Sequence, residues 1–395
     1  MGSTTCVVFF HIASDAYGGG SQMVARLIRS LDREQFDPVV LTQRRDPFVE
    51  AVEEYVTAVE AVPFRGTLDT YRGGLVSKNP LTLAATTVRL SQFNVETRDV
   101  LASADVVWCH NIRAVLTVGP QLQARGIPTI WNVGLGQSSD GLYRWLNGMA
   151  LRLADVVFGE SRTQLERMFT DAQVARHGSK FVTFHKGIDT DRYAPNEGGF
   201  DSAGLHVGTA AVLSPRKGIE DFLRAAATVL ADRDDVTFHV AGSEATDHEG
   251  YESELRDLAA DIGIADTVVF HGWVETMPEY LNALDVFVLA SYAEGIPGAV
   301  REALATGTPV VATDVGETAS VVRHGKTGRL VEPGAPSALA AAISALLDDS
   351  ENRGRMGERG RDLVVRKHSV ERYVERYEEL LERLCTDRAL DSRFP

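Results

Sequence analysis

The sequence predicts an α/β protein of two domains, each a parallel sheet covered by helices on both faces. Three observations predict it. Short apolar runs alternate with segments of helical periodicity along the whole chain. Within the runs, successive residues are apolar rather than every second one, so both faces of the sheet are buried and helices must cover both. The alternation also restarts once. Tyr193-Ala-Pro-Asn-Glu-Gly-Gly-Phe-Asp-Ser-Ala-Gly204 has the Gly, Pro and polar composition of a linker, and a fresh strand begins near His206. At 395 residues the chain is long enough for about two domains with separate cores.

The elements follow in order. In the first half, β-branched runs bounded by polar residues or Gly predict strands over Thr5–Ile12, Pro38–Leu41, Asp105–Cys109, Pro128–Trp131, Val156–Phe158 and Lys180–Phe184. In the second half the strands are Val207–Leu213, Val236–Ala241, Val268–Phe270, Val286–Leu289 and Pro309–Thr313. Helical periodicity is clearest over Gly218–Ala231, Tyr251–Asp261 and Ala335–Leu347. This gives two Rossmann-like domains, residues 1–194 and 205–368. The tail from residue 369 carries Val370, Tyr373, Val374, Tyr377, Leu380, Leu381 and Leu384, one apolar face of a helix that must dock.

Charge separates the halves. Residues 1–196 hold 20 basic and 20 acidic side chains; residues 197–395 hold 20 and 35, the whole of the net −15. That balance argues against a nucleic-acid partner. The three cysteines, Cys6, Cys109 and Cys385, are far apart and form no CxxC pair, which fits small buried hydrophobes in a reducing compartment. The start of the chain lacks the basic n-region of a signal peptide, and no apolar stretch is long enough to span a bilayer. The expected location is cytoplasmic, or peripheral at the inner face of the membrane.

The chemistry concentrates after the run Val286–Leu289. A loop carries Glu294 ahead of Gly295-Ile-Pro-Gly298, and a helix then starts and carries Glu302 one turn in. The carboxyl edge of an open α/β sheet is where ligands bind, and a helix start with free N–H groups favours phosphate. Glycines let backbone approach a ligand closely. Two acids beside a phosphate site suit sugar hydroxyls, which donate hydrogen bonds to carboxylates. The bland alternative makes Glu294 a loop acid and Glu302 a solvated helix charge. Lys217, after a strand and before Gly218, is either a surface charge or a fixed cation for a dense anion. Asp189-Thr-Asp191 lies beside the linker and reads as turn chemistry rather than a metal motif.

Glu294 and Glu302, followed by Ala-Leu-Ala-Thr-Gly-Thr-Pro-Val-Val-Ala-Thr-Asp-Val-Gly, resemble the signature of glycosyltransferase family 4, retaining enzymes of the GT-B fold. Other stretches carry the resemblance further. Asn282–Ser291 resembles the strand before the signature, and His324-Gly-Lys-Thr-Gly-Arg-Leu-Val331 its downstream turn. Lys186-Gly-Ile-Asp-Thr-Asp-Arg-Tyr-Ala-Pro195 resembles the segment leading into the linker. Leu213-Ser-Pro-Arg-Lys-Gly218 resembles the phosphate motif, and Tyr17-Gly-Gly-Gly20 the N-domain glycine loop.

The resemblance implies two Rossmann-like domains facing across a cleft, with the last helix crossing back to the N-domain. It implies a nucleotide-sugar donor of UDP or GDP type and a glycan, lipid-linked or small-molecule acceptor, with no metal and no other cofactor required. Lys217, helped by Arg216, would meet the donor diphosphate; Glu302 the ribose; Glu294 the transferred sugar. Gly295, Ile296, Pro297 and Gly298 would offer backbone N–H groups or contacts to the donor, and Gly19 and Gly20 would let the N-domain loop close on the diphosphate. The sequence departs from the family pattern at Val212, where an Arg is common, at Gly134, where a His is common, and at Pro297, a familiar variant of Gly. His110 is the remaining N-domain candidate for the reacting centre, with Asn111 and Asn132 on the same edge. Arg65–Arg98 and Gly141–Leu153 mix Arg with aromatic and aliphatic residues, which suits either peripheral membrane contact or ordinary packing. The competing functions are a sugar-nucleotide epimerase, which would consume donor without acceptor, and an inactive partner subunit.

Overall fold

The computed structural model describes residues 4–13, 19–63, 80–133, 142–196, 198–200, 202–245 and 247–386. The chain divides into two compact units. Unit 1 is Met1–Lys186 with Tyr373–Pro395, and unit 2 is Gly187–Arg372.

Unit 1 runs β1 (Thr5–His11), α1 (Gly19–Ser30), β2 (Phe36–Thr42), α2 (Pro47–Val52), β3 (Ala58–Ala61), α3 (Pro80–Glu96), α4 (Arg98–Ala102), β4 (Val106–Cys109), α5 (Ile112–Arg125), β5 (Thr129–Asn132), α6 (Leu142–Leu153), β6 (Val156–Gly159), α7 (Arg162–Arg167), α8 (Asp171–His177) and β7 (Phe181–Thr183). Its sheet is ordered β3-β2-β1-β4-β5-β6-β7, every pair parallel. Val7, Val8, Phe9 and Phe10 of β1 are all buried, as a strand with helices on both faces must be.

Unit 2 runs β8 (Leu205–Ala210), α9 (Ile219–Leu230), β9 (Val236–Ala241), α10 (Tyr251–Asp261), β10 (Val268–Gly272), α11 (Met277–Asn282), β11 (Val286–Leu289), α12 (Gly298–Ala305), β12 (Val310–Thr313), α13 (Thr318–Val321), β13 (Gly328–Val331), α14 (Pro336–Leu347) and α15 (Ser350–His368). Its sheet is ordered β10-β9-β8-β11-β12-β13, again all parallel. The last helix, α16 (Val370–Thr386), begins in unit 2 and lies mostly in unit 1. There the buried Tyr377 ring packs 5.0 Å from both Phe158 and Phe184, and its hydroxyl accepts from Trp108 Nε1 at 3.4 Å.

The predicted strands are present, Val236–Ala241 and Val286–Leu289 with the predicted bounds and the others with ends shifted by up to three residues. Two edge strands, β3 and β13, were not predicted. Ala58-Val-Glu-Ala61 is short and half exposed, so it lacks the apolar run that marks a buried strand. Gly328–Val331 sits within the stretch that reads as a turn: residues 324–327 turn, and the chain then pairs with β12. Among the described residues no helix is long and apolar enough to cross a membrane.

One polar cluster fixes a face of the unit 2 sheet. The Ser202 carbonyl accepts from His206 Nε2 at 3.1 Å, so His206 Nδ1 must accept from His239 Nε2 at 3.0 Å. His239 Nδ1 then accepts from His271 Nε2 at 2.9 Å. Phe200 lies flat on His239, 4.0 Å away with 5° between the planes. The chain of donors has one direction only while every ring is neutral. Burial, with the two neighbouring imidazoles, pushes His239 down to about 3, and burial lowers His271. A histidine depressed in the fold stabilises above its unfolded value near 6.5, and that stability is lost as pH falls from there towards 3. Melting followed by far-UV circular dichroism should therefore drop about 3 °C per pH unit below pH 6.5. His239→Leu should flatten this slope; an equal slope would remove the histidine chain as its source.

Candidate functional site

Strand order reverses between β8 and β11, the switch point at which open α/β sheets take ligands. The loops leaving those two strands are laced together there. After β8, Pro215–Lys217 forms a tight turn that ends at Gly218, whose φ is +63°. A Cβ at Gly218 would sit 2.1 Å from the Ala290 carbonyl oxygen, so only glycine allows this approach. Tyr292 N–H donates to the Arg216 carbonyl at 2.9 Å, and Arg216 Nη1 donates to the Ala293 carbonyl at 2.5 Å. A third loop joins after β12. Gly316, with φ +58°, passes the Glu294 carbonyl, and Glu317 N–H donates to the Gly295 carbonyl at 2.9 Å.

This lacing brings together residues 77 positions apart. Lys217 Nζ donates to Glu294 Oε1 at 2.7 Å, and Ser291 Oγ donates to the same oxygen at 2.6 Å. Arg216 Nη1 lies 3.9 Å from the other oxygen. The Glu294 side chain is 9% exposed and that of Lys217 16%, whereas Arg216 is 54% exposed. Glu294 is thus a fixed, nearly buried anion, and Arg216 keeps its cation towards solvent.

The loop continues through Gly295 and Ile296 to Pro297, which precedes the first turn of α12 at Gly298. The first N–H groups of that helix have no intrahelical acceptor. Glu302 stands one turn in. Burial raises its pKa, opposed by Arg301, by a hydrogen bond from Tyr193 and by Arg192. Tyr193 is itself pushed up to about 12, chiefly by burial and by Glu302. A carboxylate with its charge disfavoured by burial is primed for ligands that donate hydrogen bonds.

The remaining candidates lie in unit 1. Gly19 and Gly20 open α1; Tyr17, Gly18 and Gly134 lie outside the described residues. His110 follows β4 and is partly buried. The Asn111 side-chain oxygen caps α5 by accepting from Arg113 N at 2.9 Å and Ala114 N at 3.1 Å. Asn132 ends β5. Sequence reasoning missed Ser291 and Tyr193 as partners of Glu294 and Glu302. Ser291, three residues before Glu294, carries a weak signal in the strand-to-loop junction; Tyr193 carries none, because its partner is distant in sequence.

The comparisons with known proteins agree with this architecture. The family model described as glycosyl transferases group 1 matches residues 204–349, and the glycosyl transferase 4-like domain matches residues 18–178. The lipopolysaccharide core biosynthesis mannosyltransferase LpsB of Rhizobium meliloti is 34% identical over 209 residues, covering 48% of this chain and 59% of that protein. A D-inositol 3-phosphate glycosyltransferase of Geodermatophilus obscurus is 38% identical over 176 residues, covering 41% and 39%. The matched stretch thus spans less than two thirds of either curated relative. The crystal structure of Anabaena Alr3699/HepE in complex with UDP and glucose superposes with a TM-score of 0.66 at 18% identity, over 95% of this chain and 99% of that one. With one family match in each unit and two all-parallel sheets, the chain belongs to glycosyltransferase family 4 and has the GT-B fold.

Proposed function

We propose that this protein transfers a sugar from a UDP- or GDP-type nucleotide sugar to a hydroxyl of a glycan, lipid-linked or small-molecule acceptor, with retention at the anomeric carbon and without a metal. The single observation that carries the reading is the laced switch point of unit 2. It sets Lys217, Arg216 and the start of α12 as a cationic device, beside Glu294 and Glu302 as hydroxyl acceptors. In the reaction the bond from the anomeric carbon to the diphosphate oxygen breaks and one to the acceptor oxygen forms. The acceptor proton leaves with the diphosphate, whose charge Lys217, Arg216 and backbone N–H groups stabilise. Glu302 holds the ribose and Glu294 the transferred sugar, while Gly295 to Gly298 approach the donor through backbone. In unit 1, Gly19 and Gly20 are this reading's candidates for the diphosphate and His110 for the reacting centre. The crystallised Anabaena protein of the same fold holds UDP and glucose, which supports a nucleotide-sugar donor. In unit 1, α6 exposes Trp145 and Met149 between Arg144 and Arg152, a composition that fits peripheral contact with an anionic membrane and hence a lipid-linked acceptor.

A panel of nucleotide sugars scored by thermal shift tests the donor. At about a hundred times its dissociation constant, the matching donor stabilises by about 2.7 kcal/mol, a rise of several degrees. The shift should persist in EDTA. No shift with any donor would sink the reading. Donor consumption without acceptor would point to epimerisation, and binding without turnover to an inactive subunit.

A further inference from the structure

Unit 1 has its own reversal of strand order, between β1 and β4. Two histidines end those strands. His11 is the last residue of β1, and His110 directly follows Cys109, with its N–H donating to the Phe10 carbonyl at 3.1 Å. Beside them stands the buried Asp46, just before α2. Its two oxygens do separate things. Oδ1 caps the helix by accepting from Val49 N at 3.1 Å, and Oδ2 lies 2.9 Å from His11 Nε2.

A carboxylate only accepts, so a neutral His11 ring carries its proton on Nε2 and leaves Nδ1 as a bare lone pair. That nitrogen is buried and without a hydrogen-bond partner among the described residues, and so is Nδ1 of His110. The His11 ring is clamped, stacked on Phe48 at 4.2 Å and set at 74° to the His110 ring at 4.9 Å. Trp108 flanks His110 at 5.8 Å. Burial and the neighbouring His11 push His110 down to about 3, with Asp46 opposing; no other titratable group acts on it among the described residues. Buried nitrogens left without a hydrogen bond are costly to the fold. Two of them at one switch point mark a place kept for something other than packing.

We propose that Asp46 and His11 are positioning residues for His110: the carboxylate fixes the His11 tautomer, and His11 holds the His110 ring, so that unit 1 presents a neutral imidazole to a substrate hydroxyl. This rests on the glycosyltransferase reading, which places a hydroxyl-bearing substrate at His110. A neutral ring is a hydrogen-bond partner for a hydroxyl; a cationic ring at the same place would select phosphate.

Asp46→Asn tests it, because the geometry dictates the outcome. Oδ1 must stay on Val49 N–H to keep the cap, which turns the new Nδ2 donor towards His11 Nε2. The His11 proton must then move to Nδ1. The expected result is a folded protein with the His11 tautomer inverted by ¹⁵N NMR, the His110 signals shifted, and kcat lowered about tenfold or more. Nucleotide affinity, a property of unit 2, should be unchanged. His11→Phe keeps the stack on Phe48 and should lower kcat and alter its pH profile in the same way. An unchanged tautomer in Asp46→Asn, or unchanged kcat and pH profile in both variants, would overturn the proposal. Failure of the underlying reading looks different: wild type itself would neither bind nor turn over any nucleotide sugar, whereas a His110→Ala variant that transfers as well as wild type would overturn the proposal alone.

Discussion

Glu302→Ala is expected to weaken nucleoside diphosphate binding about a hundredfold while making the unliganded protein more stable. Hydrogen bonds to a charged group contribute about 1.5–3 kcal/mol each, and two ribose hydroxyls on one carboxylate give about 3 kcal/mol, two decades in affinity. The stability effect has the opposite sign because burial raises the Glu302 pKa. A carboxyl raised in the fold binds its proton more tightly there than when unfolded. Stability therefore falls as pH rises from the unfolded value to the folded one, and the ionised group is a burden above it. Removing it should raise the melting temperature at neutral pH. Calorimetry with a nucleotide lacking the ribose hydroxyls completes the test. Wild type should lose affinity for that analogue, and Glu302→Ala should not distinguish the two. Equal binding of the ordinary nucleotide by the variant and wild type would remove Glu302 from the site.

Lys217→Met is expected to cut transfer at least a hundredfold, the scale on which a preorganised charge at a developing anion acts. It should also destabilise the fold by about 2–3 kcal/mol, because it leaves Glu294, with its side chain 9% exposed, without its nearest cation. Arg216, 3.9 Å away and exposed, compensates only in part. Lys217→Met combined with Glu294→Gln separates the two effects. The double variant should recover the melting temperature and stay inactive, since charge balance returns and the diphosphate partner does not. Recovery of transfer with stability would show that Lys217 serves only to neutralise Glu294.

Much of this architecture was legible in the sequence, for a physical reason. Strands buried on both faces, such as Val286–Leu289, are apolar without interruption, so both their presence and their parallel pairing follow from composition. The edge strand Ala58–Ala61 escaped because an exposed edge needs no such run. At the site, Glu294, Glu302 and Lys217 stood out through local context, the acids around a Gly-Ile-Pro-Gly loop and the lysine before a glycine. Their mutual geometry did not. The Lys217–Glu294 contact, the Asp46–His11 pair and the histidine chain of unit 2 each join residues more than 30 positions apart, and only the strand order brings them together. Asn111, on the same edge as His110, also serves the fold, since its side-chain oxygen caps the helix it precedes.

The path of the chain through unit 2 also dictates an order of assembly. Ile188 pairs with Ser369, and a Cβ on Gly187 would collide with the Val370 backbone at 2.4 Å, so unit 2 begins and ends at one point. It is a continuous insertion, complete once residue 372 has been made. Unit 1 is not, because Tyr377 fills its core against Trp108, Phe158 and Phe184. A nascent chain therefore carries a nearly finished first unit, with an aromatic surface still open, through the whole synthesis of the second. Unit 2 can therefore close on the ribosome before unit 1 does.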